Sequence, residues 1–222
     1  MILTDNGGAA FTPCPAGSYL ARCVRLIDLG TQTSTYEGET KRARKVLVAW
    51  EILDDECRRD DGEPFVLSKR FTQSLHEKAA LRKTLSSWRG RDFTPAELKG
   101  FDLATVLGKD AFLSVIHTEK EGKTFANIAA VMRPPKGMTA PAGTGNEALL
   151  HWSMSAPDWT AFVALPPRLV EQIEASPEFA ALKPPKSVSL AAQPAPAQRS
   201  QAPAPEYMGH GFDDMPDDNM AF

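Results

Sequence analysis

Five β-rich runs with one helical stretch between the third and fourth, a locally basic body, and a Pro/Ala/Gln/Ser tract ahead of an acidic end predict a mainly β protein. The order β-β-β-α-β-β is what a five-stranded OB-fold barrel requires, with the helical insertion between strands 3 and 4. A small helical extension and a disordered C-terminal tail complete the predicted architecture. The boundaries fall at 1–136 for the barrel domain, 147–182 for the extension, 183–205 for the linker and 206–222 for the acidic tip.

The first strand signal is Gly17–Gly30, where apolar positions alternate with period two between two glycines. A polar loop is expected over Thr31–Arg44, carrying Tyr36 beside the basic cluster Lys41, Arg42, Arg44 and Lys45. The run Val46–Leu53 is rich in β-branched and aromatic residues and reads as a central strand. Asp60-Asp61-Gly62 marks a turn, after which Phe65–Thr72 is the third strand, pairing with the second as a hairpin.

The period then changes to helical. Ser74 with Glu77 reads as a capping box, followed by Leu75, Ala79, Leu81 and Leu85 on the buried side and Lys78, Arg82 and Lys83 facing out. Trp88-Arg89-Gly90-Arg91 ends this helix. A second capping box, Thr94 with Glu97, starts a short one, and Phe101–Leu107 supplies a further turn closed by Gly108. Asp110–Thr118 and Thr124–Met132 are the last two strands, joined by a hairpin turn over Glu119–Lys123. In the extension, Pro167–Glu174 is an amphipathic helix. The segment is too small for an independent core, so it packs on the barrel or orders on a partner.

Charge is divided along the chain. The total is −3, yet residues 1–136 hold 21 Lys/Arg against 18 Asp/Glu, while residues 206–222 hold five acids and no base. A basic body with a detached acidic segment suits a polyanion binder whose tail competes for the same groove. No run of about 18 apolar residues occurs and the first ten residues lack a signal pattern, so a soluble, cytoplasmic protein with no membrane partner is expected. Cys14, Cys23 and Cys57 form no CxxC pair and read as reduced thiols.

No catalytic constellation stands out. GxxxxGK[ST], GxGxxG after a strand and HExxH are all lacking, and the four histidines are scattered. A non-catalytic protein without cofactor or metal is expected. Basic residues interleaved with aromatics carry more information, because binding single strands without sequence preference needs cations along a groove and rings for base stacking. The candidates are Tyr36, Lys41, Arg42, Arg44 and Lys45 in the first loop, Lys69, Arg70 and Phe71 on strand three, Trp88, Arg89 and Arg91 at the helix exit, and Lys123 and Phe125 by the last hairpin. Trp50 reads as core. Phe71 fits the core as well as a stacking surface, and Trp88 serves equally as a cap on the barrel bottom, with Arg89 and Arg91 holding carboxylates such as Asp92.

The acidic end places Phe212, Asp213, Asp214, Asp217, Asp218 and Phe222 in one run. Unpaired carboxylates are costly to bury, so such a segment docks on a basic-rimmed apolar pocket of a partner rather than joining a core.

The stretch from Ser68-Lys69-Arg70-Phe71-Thr72 to Trp88-Arg89-Gly90-Arg91-Asp92-Phe93-Thr94, with Phe101-Asp102-Leu103 and Leu107-Gly108-Lys109, is similar to a family of small phage and prophage proteins. That family is associated with single-stranded DNA binding through an OB-like domain. The resemblance covers roughly residues 15–137, with a fainter match at Leu165–Leu182. The acidic end resembles the tip of bacterial and phage single-stranded DNA-binding proteins, with Met220-Ala221 where the bacterial tip usually has Ile-Pro.

Together these imply a protein of phage replication or recombination, acting in the host bacterial cytoplasm. It would coat single-stranded DNA and recruit host or phage replication and repair proteins through its tail, with a homo-oligomer compatible with that role. The sequence leaves open RNA as ligand, a protein-interaction adaptor, and a metal-dependent nucleic-acid enzyme or nuclease regulator using the acidic loop 54–61.

Overall fold

The computed structural model describes residues 12–36, 39–138, 140, 145 and 148–182. The linker 183–205 and the tip 206–222, with Phe212, Asp213, Asp214, Asp217, Asp218 and Phe222, lie outside the described residues. The fold is mainly β: an open six-stranded sheet with a few short helices.

β1 (Gly17–Tyr36), β2 (Glu39–Ile52), β3 (Val66–Thr72), β4 (Asp110–Lys120) and β5 (Lys123–Met132) lie in the order β3-β2-β1-β4-β5, every neighbour antiparallel. The short β6 (Leu150–Trp152) pairs in parallel with β1. Among the described residues no ladder joins β3 to β5, so the sheet does not close on itself through these edges.

β1 organises the molecule. One of its edges is taken wholly by β2, from Ala21↔Ile52 to Tyr36↔Glu39. The other edge is shared: β4 takes Gly17–Arg22, and β6 takes Arg25–Ile27. A bulge between Cys23 and Arg25 marks the changeover, and there Cys23 exchanges backbone hydrogen bonds with Lys109 and Gly108. A bulge bends and twists its strand, so one strand serves two sets of partners.

Two apolar clusters lie against this sheet. The first gathers Trp50, Val48, Phe71, Leu85, Trp88, Leu113 and Val131 beneath α1 (Ala80–Arg89). The second joins Ile27, Leu29, Leu47 and Ala49 to Trp152, Phe162, Ile173 and Phe179 of the extension. The extension, comprising β6, α3 (Trp159–Val163), α4 (Pro167–Glu174) and α5 (Pro177–Ala180), therefore packs on the sheet. Because the middle of β1 and β2 is covered by apolar groups on both faces, Val46–Trp50 reads as a continuous apolar run.

Several sequence expectations change here. β1 does not stop at Gly30. That glycine sits inside the strand at a second bulge with φ +68° and the strand continues to Tyr36. The polar loop Thr31–Arg44 is instead a two-stranded arm. Alternating Thr31, Thr33 and Thr35 suit a strand, and the ladder gives their polar neighbours backbone partners.

The capping box at Ser74 is absent: α1 begins at Ala80 with Ala79 as N-cap and no side-chain cap bond, and Ser74 Oγ accepts from His76 N in a local turn. The second box forms as predicted, with Thr94 and Glu97 bonded reciprocally at the start of α2 (Pro95–Lys99). A short 3₁₀ turn, Leu103–Val106, leads into β4. The cysteines are free and buried. Among the described residues no helix is long and apolar enough to cross a membrane.

Candidate nucleic-acid interface

The arm formed by the ends of β1 and β2 runs from Thr31↔Arg44 to Tyr36↔Glu39. Along β2, residues 39–42 are exposed, 43–45 half-buried and 46–52 buried, so the arm projects from the core as a ribbon. Lys41 pairs with Ser34 and Arg42 with Thr33. Adjacent strand residues point to opposite faces, so these two exposed cations stand on both sides of the ribbon. Tyr36 ends β1; its side chain lies outside the described set.

The base of the arm is held differently. Arg44 donates to the buried Asp28, Nη2 to Oδ2 at 2.5 Å, while Asp28 Oδ1 accepts from Gly30 N at 3.0 Å. The hydrogen bond to Asp28 raises the Arg44 pKa above its ordinary value, against a smaller opposing effect of burial. Thr31 donates through Oγ1 and N to the Glu178 carboxylate at 2.5 and 2.8 Å. Those bonds hold Glu178 below the ordinary carboxylate range.

Gln32 and Gln172 bond reciprocally, and Arg70 Nη2 donates to Gln172 Oε1 at 2.9 Å. Lys45 donates to Thr72 Oγ1 at 3.2 Å. Arg44, Lys45 and Arg70, all candidate phosphate contacts in the sequence, thus have bonds within the fold. Helices α4 and α5 clamp the arm's root.

Two candidate stacking rings are core groups. Phe71 is 1% exposed and Trp88 is 6% exposed, packed edge-on against Trp50 with ring centroids 5.7 Å apart. Trp88 Nε1 donates to Asp110 O at 2.8 Å, which fixes the indole under β4. Neither ring offers a face to a base. The reason is periodicity: Phe71 lies opposite Val46 on the covered side of the β2–β3 ladder, and Trp88 continues the Leu81–Leu85 stripe of α1. Lys69, beside Phe71, sends Nζ to Ile128 O at 3.2 Å, so it links edge β3 to edge β5.

Arg89 and Arg91 hold Glu97 rather than Asp92. Both cations, together with the Thr94 backbone N–H, drive the Glu97 pKa far below its ordinary value, Arg91 contributing most. Lys123 is exposed and Phe125 half-buried at the β4–β5 turn. Register places that turn beyond the Gly17 end of β1, whereas the arm extends from the Tyr36 end.

The predicted residues therefore fall into four places: the arm, the β2–β3 ladder, the foot of α1 and the β4–β5 turn. Two cations passed over in the sequence, Lys109 and Arg133, stand with Arg89 and Arg91 at the foot of α1. Their signal was position: Lys109 immediately precedes β4 and Arg133 immediately follows β5.

In the acidic loop, the four aspartates are engaged within the fold. Asp54 accepts from Glu56 N, Asp55 pairs with Arg58, Asp60 accepts from Thr12, and Asp61 takes Glu63 N and Arg59. Among the described residues no three His, Cys, Asp or Glu side chains are grouped to hold a metal ion. No protein-family model matches the chain, and no curated protein matches its sequence.

Proposed function

We propose that this protein binds single-stranded DNA without turnover, using an OB-type β-structure whose β1–β2 arm grips the strand. The observation that carries this reading is the exposed Lys41–Arg42 pair on a ribbon that projects from a sheet covered on both faces. Supporting it, the strand order β3-β2-β1-β4-β5 with helices between β3 and β4 is that of an OB barrel, and Lys69 bridges the two edges that such a barrel would join. In OB-folds the connection between the first two strands is one of the ligand-gripping elements. The acidic residues Asp213, Asp214, Asp217 and Asp218 act in this account as a docking segment for replication and repair proteins, flanked by Phe212 and Phe222.

The contact residues narrow to Lys41, Arg42 and Tyr36 on the arm. Phosphate contacts release counterions, so affinity falls as salt rises, with a slope set by how many cations take part. Replacing Lys41 and Arg42 together by alanine tests the assignment. The slope of log affinity against log salt drops by about 1.4 if both cations contact phosphates of a single strand. An unchanged slope removes the arm from the interface.

A further inference from the structure

At the foot of α1 lies a cleft of about 490 Å3. Four basic side chains converge on it: Arg89 and Arg91 from the end of α1, Lys109 ahead of β4, and Arg133 after β5. The Arg89 guanidinium is held against the rings of Phe93 and Phe101, at 4.5 and 5.1 Å from their centroids. Its Nη2 donates to Glu97, yet its Nη1 is buried with no hydrogen-bond partner among the described residues. A buried guanidinium N–H without an acceptor is uncommon and leaves a donor in the cleft wall that a water or an anion can meet.

The local charges point to which of the two it is. Glu97 faces both Arg89 and Arg91, and its two oxygens already accept from Arg89, Arg91 and Thr94 N. The other acid in the wall, Asp110, pairs with Arg22 at 2.8 Å. Lys109 and Arg133 have no ion pair among the described residues and are both exposed. Arg133 is positioned by its stem, which crosses Gly90 so closely that a Cβ there would meet Arg133 Cδ at 3.1 Å.

We propose that this cleft is a phosphate-binding site. A tetrahedral oxyanion has enough acceptor oxygens to meet Arg89 Nη1, Lys109 and Arg133 together while Glu97 keeps its own bonds. A flat carboxylate has fewer, and the carboxylate place in the cleft is taken by Glu97. The site does not depend on strand binding at the arm. The phosphate comes either from a free phosphate or nucleotide, or from a nucleic-acid backbone.

The test is nuclear magnetic resonance of the full chain, following the Trp88 Nε1–H and Arg89 side-chain signals. Inorganic phosphate is added at ionic strength held constant with chloride. The expected result is saturable shifts at both groups, with affinity lowered about tenfold by K109A and by R133A, each the removal of one charged contact. K83A, a cation on the exposed side of α1, leaves the affinity unchanged.

Competition then separates the sources. Displacement by thymidine monophosphate but not by an oligothymidine lacking a terminal phosphate assigns the site to free phosphates. Displacement by both assigns it to backbone phosphate as well. Shifts that do not saturate, or that chloride alone reproduces, overturn the proposal. So does binding of a peptide of residues 206–222 in a cleft that ignores phosphate, which would make it a carboxylate site.

Discussion

Gly30 and Ser176 touch: a Cβ on Gly30 would lie 2.5 Å from Ser176 Oγ and 2.6 Å from its Cβ. Ser176 is buried and caps α5, its Oγ accepting from Phe179 N at 3.3 Å and donating to Ile173 O at 2.6 Å. The bulge at Gly30 thus lets the root of the arm lie directly on the N-cap of the helix that clamps it. Both the left-handed φ and the contact forbid a side chain. G30A should destabilise the protein by about 2–4 kcal/mol, the combined cost of backbone strain and overpacking. Denaturant unfolding measures it, and a loss below about 0.5 kcal/mol, the level of an ordinary surface change, would contradict the contact.

The Asp28–Arg44 pair makes a second prediction. Asp28 has 7% of its side chain exposed and Arg44 has 40%. R44A strands a buried carboxylate that keeps only the Gly30 N–H, and should cost about 1–3 kcal/mol. D28N/R44A should recover part of that loss, since the uncompensated charge is gone. If the single and double variants unfold at the same denaturant concentration, burial of Asp28 is not what makes Arg44 matter.

Acid should act on the clamp between α5 and the arm. The two bonds from Thr31 depress the Glu178 pKa below its ordinary value of 4.5. A carboxylate with a depressed folded pKa contributes stability that is complete above the unfolded value and lost as pH falls through the folded one. Unfolding measured from pH 6 downward should therefore show stability declining once the pH falls below that ordinary value of 4.5. In T31V the Glu178 part of that decline should shrink. A T31V curve parallel to wild type throughout would contradict the assignment.

The thiols give an independent check on the core. Burial pushes Cys14 and Cys23 up to about 12, with the neighbouring Cys57 adding to the effect on Cys14. At pH 8 both are neutral and covered, so a thiol reagent should label neither in the native protein and should reach them once it is unfolded. Rapid native labelling of Cys23, which is 0% exposed, would show that the β1 bulge opens.

These relationships divide by what a sequence can express. Alternation of apolar residues carried β4, and amphipathic spacing carried α4, while α2, which buries no residue, was legible from its Thr94–Glu97 capping box. The arm escaped notice because both its strands are polar, so Thr31–Thr35 and Thr40–Arg44 lack an apolar face and read as loop. Gly30 read as a strand end since a glycine at a bulge and a glycine at a strand terminus look alike without the partner strand.

Ser74–Glu77 matched a capping box by residue type, but the chain turns there without entering the helix. For the interface, the basic residues were legible as a set, but their commitments were not. Arg44 is tied by Asp28, Arg70 by Gln172 102 residues away, and Arg91 by Glu97. Only tertiary contact distinguishes such cations from Lys41 and Arg42.

Removing the acidic segment should strengthen DNA binding at low salt. Its five acids compete with phosphates for the same cations. A chain ending at residue 205 should bind oligothymidine more tightly than the full chain, with the difference fading as salt screens both. Equal affinities at low salt would dismiss the competition.

The most direct test of the account is titration of the full chain into a fluorescent oligothymidine of about 30 nucleotides, spanning several OB-type sites, and into a duplex of equal length. The account predicts tight, salt-sensitive binding to the single strand, weak binding to the duplex, and loss of the single-strand preference in K41A/R42A. Weak binding to both, or equal binding to both, would contradict it and leave the arm as a surface for contacting proteins.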